Sequence, residues 1–168
     1  TDTGGSTRIP AAFTGITGFK PTQDVISRKG VLVLSSSLDS VGLMAKNVEL
    51  CRLGYEVMKN KTNIKKTNLY DKEANLIIPT NFGFEDIESQ IKSSFDTAKQ
   101  KLAENGFNVV EIHVPALDLY KKVPLWQFAA VESQTEYFEA YNDKKHLMDP
   151  NILRRMDRAN DVLAVEYN

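Results

Sequence analysis

The sequence predicts an α/β fold, and three observations carry that expectation. The apolar run Leu76-Ile77-Ile78-Pro79 and the run Phe107 to Pro115 flank a stretch of helical periodicity. Strand, helix, strand in that order is a βαβ unit with a parallel pair. Between them, Ile87, Ile91, Phe95, Ala98 and Leu102 recur at spacings that put all five on one helical face. Residues 1–30, by contrast, are rich in Gly, Pro, Ser and Thr and poor in periodic apolar positions, which marks a loop-dominated region suited to a site.

The remaining elements follow along the chain. Ala11-Ala12-Phe13 begins a short helix. Gly30 to Leu34 is a short apolar run of β type, Ser35 to Ser40 a polar turn, and Val41 to Ala45 another short strand. Asn47 is placed to cap a helix over 48–59, with Leu50, Leu53, Gly54 and Val57 on one face and Cys51 packed in or beside the core. Residues 59–73 carry five lysines and little apolar content, and read as a solvated linker. A helix over Glu85–Asn105 has Glu85, Asp86 and Glu88 at its start, where negative charge suits the helix dipole, and ends at Gly106. Leu117 to Asn142 is mostly helical, with Pro124 breaking or starting the helix. Asp149-Pro150 opens a last helix, with Ile152, Met156, Ala159, Leu163 and Tyr167 as its apolar stripe and Arg154, Arg155, Asp157, Arg158 and Asp161 as a solvated face.

Composition narrows the function. With 42% hydrophobic and 26% charged residues over a length of 168, the chain fits one ordinary globular domain. Net charge is −1, from 21 basic and 22 acidic residues, so no basic excess points to nucleic acid. No apolar run is long enough to span a membrane. Cys51 is alone, compatible with a reducing, cytoplasmic setting, and His113 and His146 are too far apart in sequence to suggest a metal cluster. No phosphate loop or dinucleotide fingerprint is present, and no cofactor is expected.

The most informative stretch is the first: Thr1-Asp2-Thr3-Gly4-Gly5-Ser6-Thr7-Arg8-Ile9-Pro10-Ala11-Ala12-Phe13. Two glycines before a serine allow a tight turn whose amides converge on one spot. A serine at that spot can attack a carbonyl carbon whose oxygen those amides hold. The pattern continues through Gly15-x-x-Gly18-Phe19-Lys20-Pro21-Thr22, Ser27-Arg28-x-Gly30 and Ser36-Ser37-Leu38-Asp39-x-Val41-Gly42. Over about residues 1–48 it closely resembles the core of the amidase signature family.

The resemblance implies amide hydrolysis through a Ser-cisSer-Lys triad, with Ser6 as nucleophile. It implies an oxyanion hole made by the backbone amides of Thr3, Gly4, Gly5 and Ser6, and a mixed sheet flanked by helices on both faces. Asp2, Arg8 and Asp39 are expected to support the loop, and Lys20 to be structural rather than the catalytic lysine. Trp126 and Phe128, with Tyr137, are candidates for an apolar substrate pocket, and Glu132 matches a glutamate frequent in this family segment. In the family the lysine and the cis-serine precede the Gly-Gly-Ser motif. The chain therefore reads as a single partial domain, truncated at both ends and inactive alone: a nucleophile region 1–48, a linker 59–73, and a βαβ unit with helices over 74–168. The expected substrate is a small-molecule or acyl amide, and the expected partner is the rest of the enzyme or a second copy. Two alternatives stand beside a general amidase. One is a glutamine-hydrolysing component of a tRNA-dependent amidotransferase, against which Gln23-Asp24-Val25-Ile26 departs from the usual pattern. The other is a family member retained as a binding module.

Overall fold

A computed structural model of the chain describes residues 1–59 and 75–167, apart from the side chain of Glu166. These fall into two compact units: residues 1–59 with 125–167, and residues 75–124.

The first unit begins with a tight loop leading into helix α1 (Arg8–Thr14), which ends at Gly15 in the left-handed conformation. Strand β1 (Thr17–Phe19) pairs antiparallel with β2 (Leu43–Ala45), Gly18 opposite Met44. Gly18 has to be glycine: a Cβ there would lie 2.7 Å from the Ala11 Cβ and 3.0 Å from the Thr7 carbonyl oxygen. Helix α2 (Val48–Met58) starts where expected, with the Asn47 side chain accepting from the Leu50 amide, and Cys51 is buried with its thiol on the Thr17 carbonyl. The run Gly30–Leu34 is not a strand. Its backbone groups turn instead to side chains, the Leu34 amide donating to Asp39 and the Val33 carbonyl accepting from Tyr137.

The same unit resumes at α5 (Leu125–Glu136), directly after Pro124, followed by α6 (Phe138–Asp143). Asp149 caps α7 (Pro150–Asp157) by accepting from the amides of Asn151 and Ile152. The expected continuous last helix breaks here into a 3-10 turn, Arg158–Asp161, and a short α8 (Ala164–Tyr167). The apolar stripe is broken with it: Met156 is buried against α5, but Leu163 is 62% exposed.

The second unit is the βαβ motif. Strands β3 (Asn75–Pro79) and β4 (Asn108–Ile112) run parallel, Ile77 opposite Val110, with α3 (Ser89–Glu104) between them in sequence. Helix α3 starts four residues later than expected. Asp86 takes a left-handed φ of 55°, and Glu85 turns aside to pair with Lys121, just past the short helix α4 (Pro115–Tyr120). The acidic cluster is thus outside the helix, and an exposed ion pair competes with the helix dipole for Glu85. Ile77, Ile91, Phe95, Leu102 and Ile112 all remain at least a third exposed.

The chain is α/β, with strands of both senses, carried among the described residues by two separate two-stranded sheets. The polar stretch expected over 59–73 lies, from residue 60 on, outside the described residues. No helix among those described is long and apolar enough to cross a membrane. Replacing Asn47 by Ala removes an N-cap acceptor and is expected to lower stability by about 1 kcal/mol, read as a shifted urea midpoint with unchanged slope.

Candidate active site

The site is built around one carboxylate. Asp2 is fully buried, yet each of its oxygens is satisfied. Oδ1 accepts from the Gly5 amide at 2.8 Å and from Arg8 Nη2 at 2.9 Å. Oδ2 accepts from the amides of Thr7 and Arg8, at 3.2 and 3.3 Å, and from Arg8 Nε at 3.0 Å. The forked guanidinium contact is the first cause holding the Asp2 carboxyl far below the usual carboxylate range. Burial opposes it, and the Gly5 and Thr7 amides reinforce it.

This knot folds residues 2–8 back on themselves and leaves Ser6 exposed at its outer edge, directly before α1. Gly5 makes the turn with φ 126°, and a Cβ there would meet the Ile9 side chain at 2.5 Å. A non-glycine residue at position 5 would suffer both the strain and the clash. Of the four amides expected to face an oxyanion, that of Gly5 is engaged by Asp2. Among the described residues no acceptor meets the amides of Thr3, Gly4 and Ser6, and no group meets Ser6 Oγ.

The loop is tied to the turn at 35–40 by main chain and side chain together. Asp2 and Ser40 exchange backbone hydrogen bonds of 2.8 and 2.9 Å. Thr3 Oγ1 donates to Asp39 Oδ1 at 2.5 Å. The other Asp39 oxygen accepts from the amides of Leu34 and Ser35, at 2.7 and 3.0 Å. Asp39 is 3% exposed. Lys20 reaches the Pro21 carbonyl at 3.0 Å and Ser40 Oγ at 3.4 Å, a contact to the supporting turn.

Two contacts were not foreseen. Glu132, on α5, accepts from the hydroxyls of Ser35 and Ser37, from the Ser37 amide and from the Tyr167 hydroxyl. Burial pushes its carboxyl up, but these four donors outweigh burial and hold it below the ordinary value. Tyr137 Oη donates to the Val33 carbonyl at 2.6 Å. No local pattern signals a pairing of residues about 100 positions apart; only the frequency of the glutamate in the family hinted at it.

The aromatic candidates separate. Trp126 borders a cavity of about 260 Å³ with Leu34, Ile152, Met156, Arg155 and Arg158. The Arg158 guanidinium carbon lies 4.0 Å from the Trp126 ring centroid, so the face expected to be wholly solvated contributes a cation–π contact. Phe128 is not on this cavity and packs against Tyr167, ring centroids 5.6 Å apart. Among the described residues no three His, Cys, Asp or Glu side chains form a metal-binding group.

The family model described as Amidase matches residues 1–165. The chain belongs to the amidase family. A glutamyl-tRNA(Gln) amidotransferase subunit of Treponema denticola is 29% identical over 205 residues, which span 100% of this chain and 42% of that protein. Its counterpart in Clostridium botulinum (strain Loch Maree / Type A3) is 38% identical over 131 residues, spanning 70% of the chain and 27% of its relative. A 2-amino-5-chloromuconic acid deaminase of Comamonas testosteroni is 31% identical over 173 residues, spanning 99% and 37%. The crystal structure of an amidase superposes with a TM-score of 0.84 at 21% identity, over 99% of this chain and 37% of that one. The chain thus spans less than half the length of these relatives.

Asp2 generates two expectations. Asp2→Ala leaves the buried Gly5 and Thr7 amides without an acceptor and is expected to cost about 1–3 kcal/mol, measured by chemical denaturation. The folded carboxyl is depressed, so its stabilisation is present above the unfolded value near 3.9 and is lost as pH falls from there. Stability of Asp2→Asn is therefore expected to fall less steeply than the parent's below about pH 5, followed by thermal melts along a pH series.

Proposed function

We propose that the chain carries the nucleophile loop of an amide hydrolase, with Ser6 as the attacking group. The observation that carries this reading is the contrast within one loop. Asp2, Gly5 and Thr7 are buried, and Asp2 draws the loop together, while Ser6, set between the buried Gly5 and Thr7, is exposed and its hydroxyl meets no partner among the described residues. A structural Gly-Gly-Ser turn has no need of a buried, fully hydrogen-bonded carboxylate to hold its serine outward.

In this reading Ser6 Oγ attacks the amide carbonyl carbon and its proton passes to a base. The amides of Thr3, Gly4 and Ser6 hold the oxyanion, a role worth about 2.7–4 kcal/mol for each donor, and the Gly5 amide keeps the loop closed through Asp2. The C–N bond breaks with the proton returned to the departing nitrogen. Water then cleaves the Ser6 ester, giving a carboxylate and regenerating the hydroxyl. Among the described residues no side chain hydrogen-bonds Ser6 Oγ, and the reading assigns the role of base to a lysine and a serine from a further segment of the enzyme. The exposed apolar residues of β3, α3 and β4 are proposed to meet the same remainder of the protein. The Trp126 cavity is a candidate place for the acyl group, with Phe128 acting behind it by packing on Tyr167.

Glutamine hydrolysis within an amidotransferase is a second reading, favoured by the names of the amidotransferase relatives. Against it, Asp24 and Arg28 form an exposed ion pair, with Asp24 at φ 62° and Arg28 also holding the Ser36 carbonyl. This stretch has its own loop, built where the sequence leaves the usual amidotransferase pattern.

Ser6→Ala in the assembled enzyme is expected to lower the amidase rate by several orders of magnitude while leaving the melting temperature near the parent's. A rate within tenfold of the parent overturns the assignment. The 168-residue chain by itself is expected to release no amine from amide substrates in the same assay, because the reading draws the base from a further segment of the enzyme.

A further inference from the structure

Glu132 is a half-buried carboxylate that the reaction does not use, and its contacts lead to the active loop through the turn at 35–40. It has four donors on two oxygens. Oε2 takes the Ser35 hydroxyl and the Ser37 amide; Oε1 takes the Ser37 hydroxyl at 2.5 Å and the Tyr167 hydroxyl at 3.0 Å. An ionised carboxylate offers about four acceptor positions and no donor, so the set is filled. The clamped turn then presents the Ser35 amide, and its neighbour Leu34, to Asp39. Asp39 in turn holds Thr3, two residues before Gly5 and three before Ser6. Every link is a charge-assisted hydrogen bond, the stronger and more directional kind.

We propose that Glu132 is a positioning residue for the nucleophile loop: its carboxylate fixes the Ser35–Ser37 turn, the turn fixes Asp39, and Asp39 fixes Thr3 and the amides beside Ser6. The inference rests on Ser6 being the nucleophile. It makes helix α5 the floor of the active loop, and it gives a reason for an acid, rather than an apolar residue, on that helix face. Tyr137, which holds the Val33 carbonyl from the residue just after α5, fastens the same floor one step earlier in the chain.

The chemistry of the four donors separates two variants. In Glu132→Gln the amide oxygen can stay on the Ser37 N–H, which can only donate. The new NH2 then faces two hydroxyls that can turn to accept, so the clamp survives. Glu132→Ala removes it. The expected result in the assembled enzyme is a loss of about 10²-fold in kcat for Glu132→Ala with KM little changed, as for a small misplacement of a reacting group, and recovery of most of that loss in Glu132→Gln. Amide hydrogen exchange of residues 2–8 and 34–39 is expected to rise in the Ala variant and to stay near the parent in the Gln variant. Tyr141→Phe, which loses its hydrogen bonds to Asp157 and Asn160 and leaves the four donors to Glu132 in place, serves as a destabilised control. It is expected to melt earlier with both regions exchanging as in the parent. A folded Glu132→Ala protein with parent-like exchange at residues 2–8 and a parent-like kcat overturns the proposal. Failure of the parent's Ser6 to react at all would overturn the nucleophile assignment instead, and the exchange data would still judge the relay.

Discussion

Asp2 is a charge with no solvent contact, and the first forty residues depend on it. Burying a carboxylate is costly unless it is both paired and hydrogen-bonded. Here the guanidinium of Arg8 supplies the pairing, and three amides from the following six residues supply the rest. The donors come from positions that an extended chain would spread along its length, so satisfying Asp2 forces residues 2–8 into a closed loop. That closure places Gly5 at a φ where a side chain is penalised. It sets the direction of Ser6, and it delivers the chain into α1. Arg8 is at once a partner of the carboxylate and the first residue of the helix, so loop and helix are coupled by one side chain.

Two further carboxylates extend this order outward. Asp39 joins the loop to the turn beneath it, and Glu132 joins the turn to α5. Each accepts from backbone amides as well as hydroxyls, which constrains main-chain direction and not merely side-chain position. The site is therefore supported by polar contacts in series, on a unit whose apolar core is small: among its described residues, Ala11, Ile26, Cys51, Ala130, Tyr141 and Met156 are the buried hydrophobic ones. A core of that size stabilises the unit without dictating the path of the loop, and the buried acids supply that specification.

Much of this was legible in the sequence, and the reasons differ by element. Asn47 and Asp149 announced their helices because capping is a local contact between neighbours in sequence, and the βαβ unit was visible because strand and helix periods differ. The tight turn of residues 2–8 was readable because its residue types are demanded by backbone geometry, Gly5 above all. Gly30–Leu34 misled for the opposite reason. Its apolar content suits a strand, but its amide and carbonyl groups go to Asp39 and Tyr137, partners that no local pattern reveals. The start of α3 was placed too early because Glu85 prefers Lys121, a contact across 36 positions. The last helix broke at a point where its stripe of apolar residues showed no interruption. Long-range polar contacts decided the first two of these, and hydrophobic periodicity does not report them.

The central claim is that this loop makes Ser6 the group that takes up the acyl moiety. The most direct measurement is the mass of the peptide ending at Arg8 after the assembled enzyme is reacted briefly with an activated amide and quenched in acid. The account predicts a peptide heavier by the acyl group, with fragmentation placing the added mass on Ser6. Product released in a burst while the Ser6 peptide keeps its unmodified mass would contradict it.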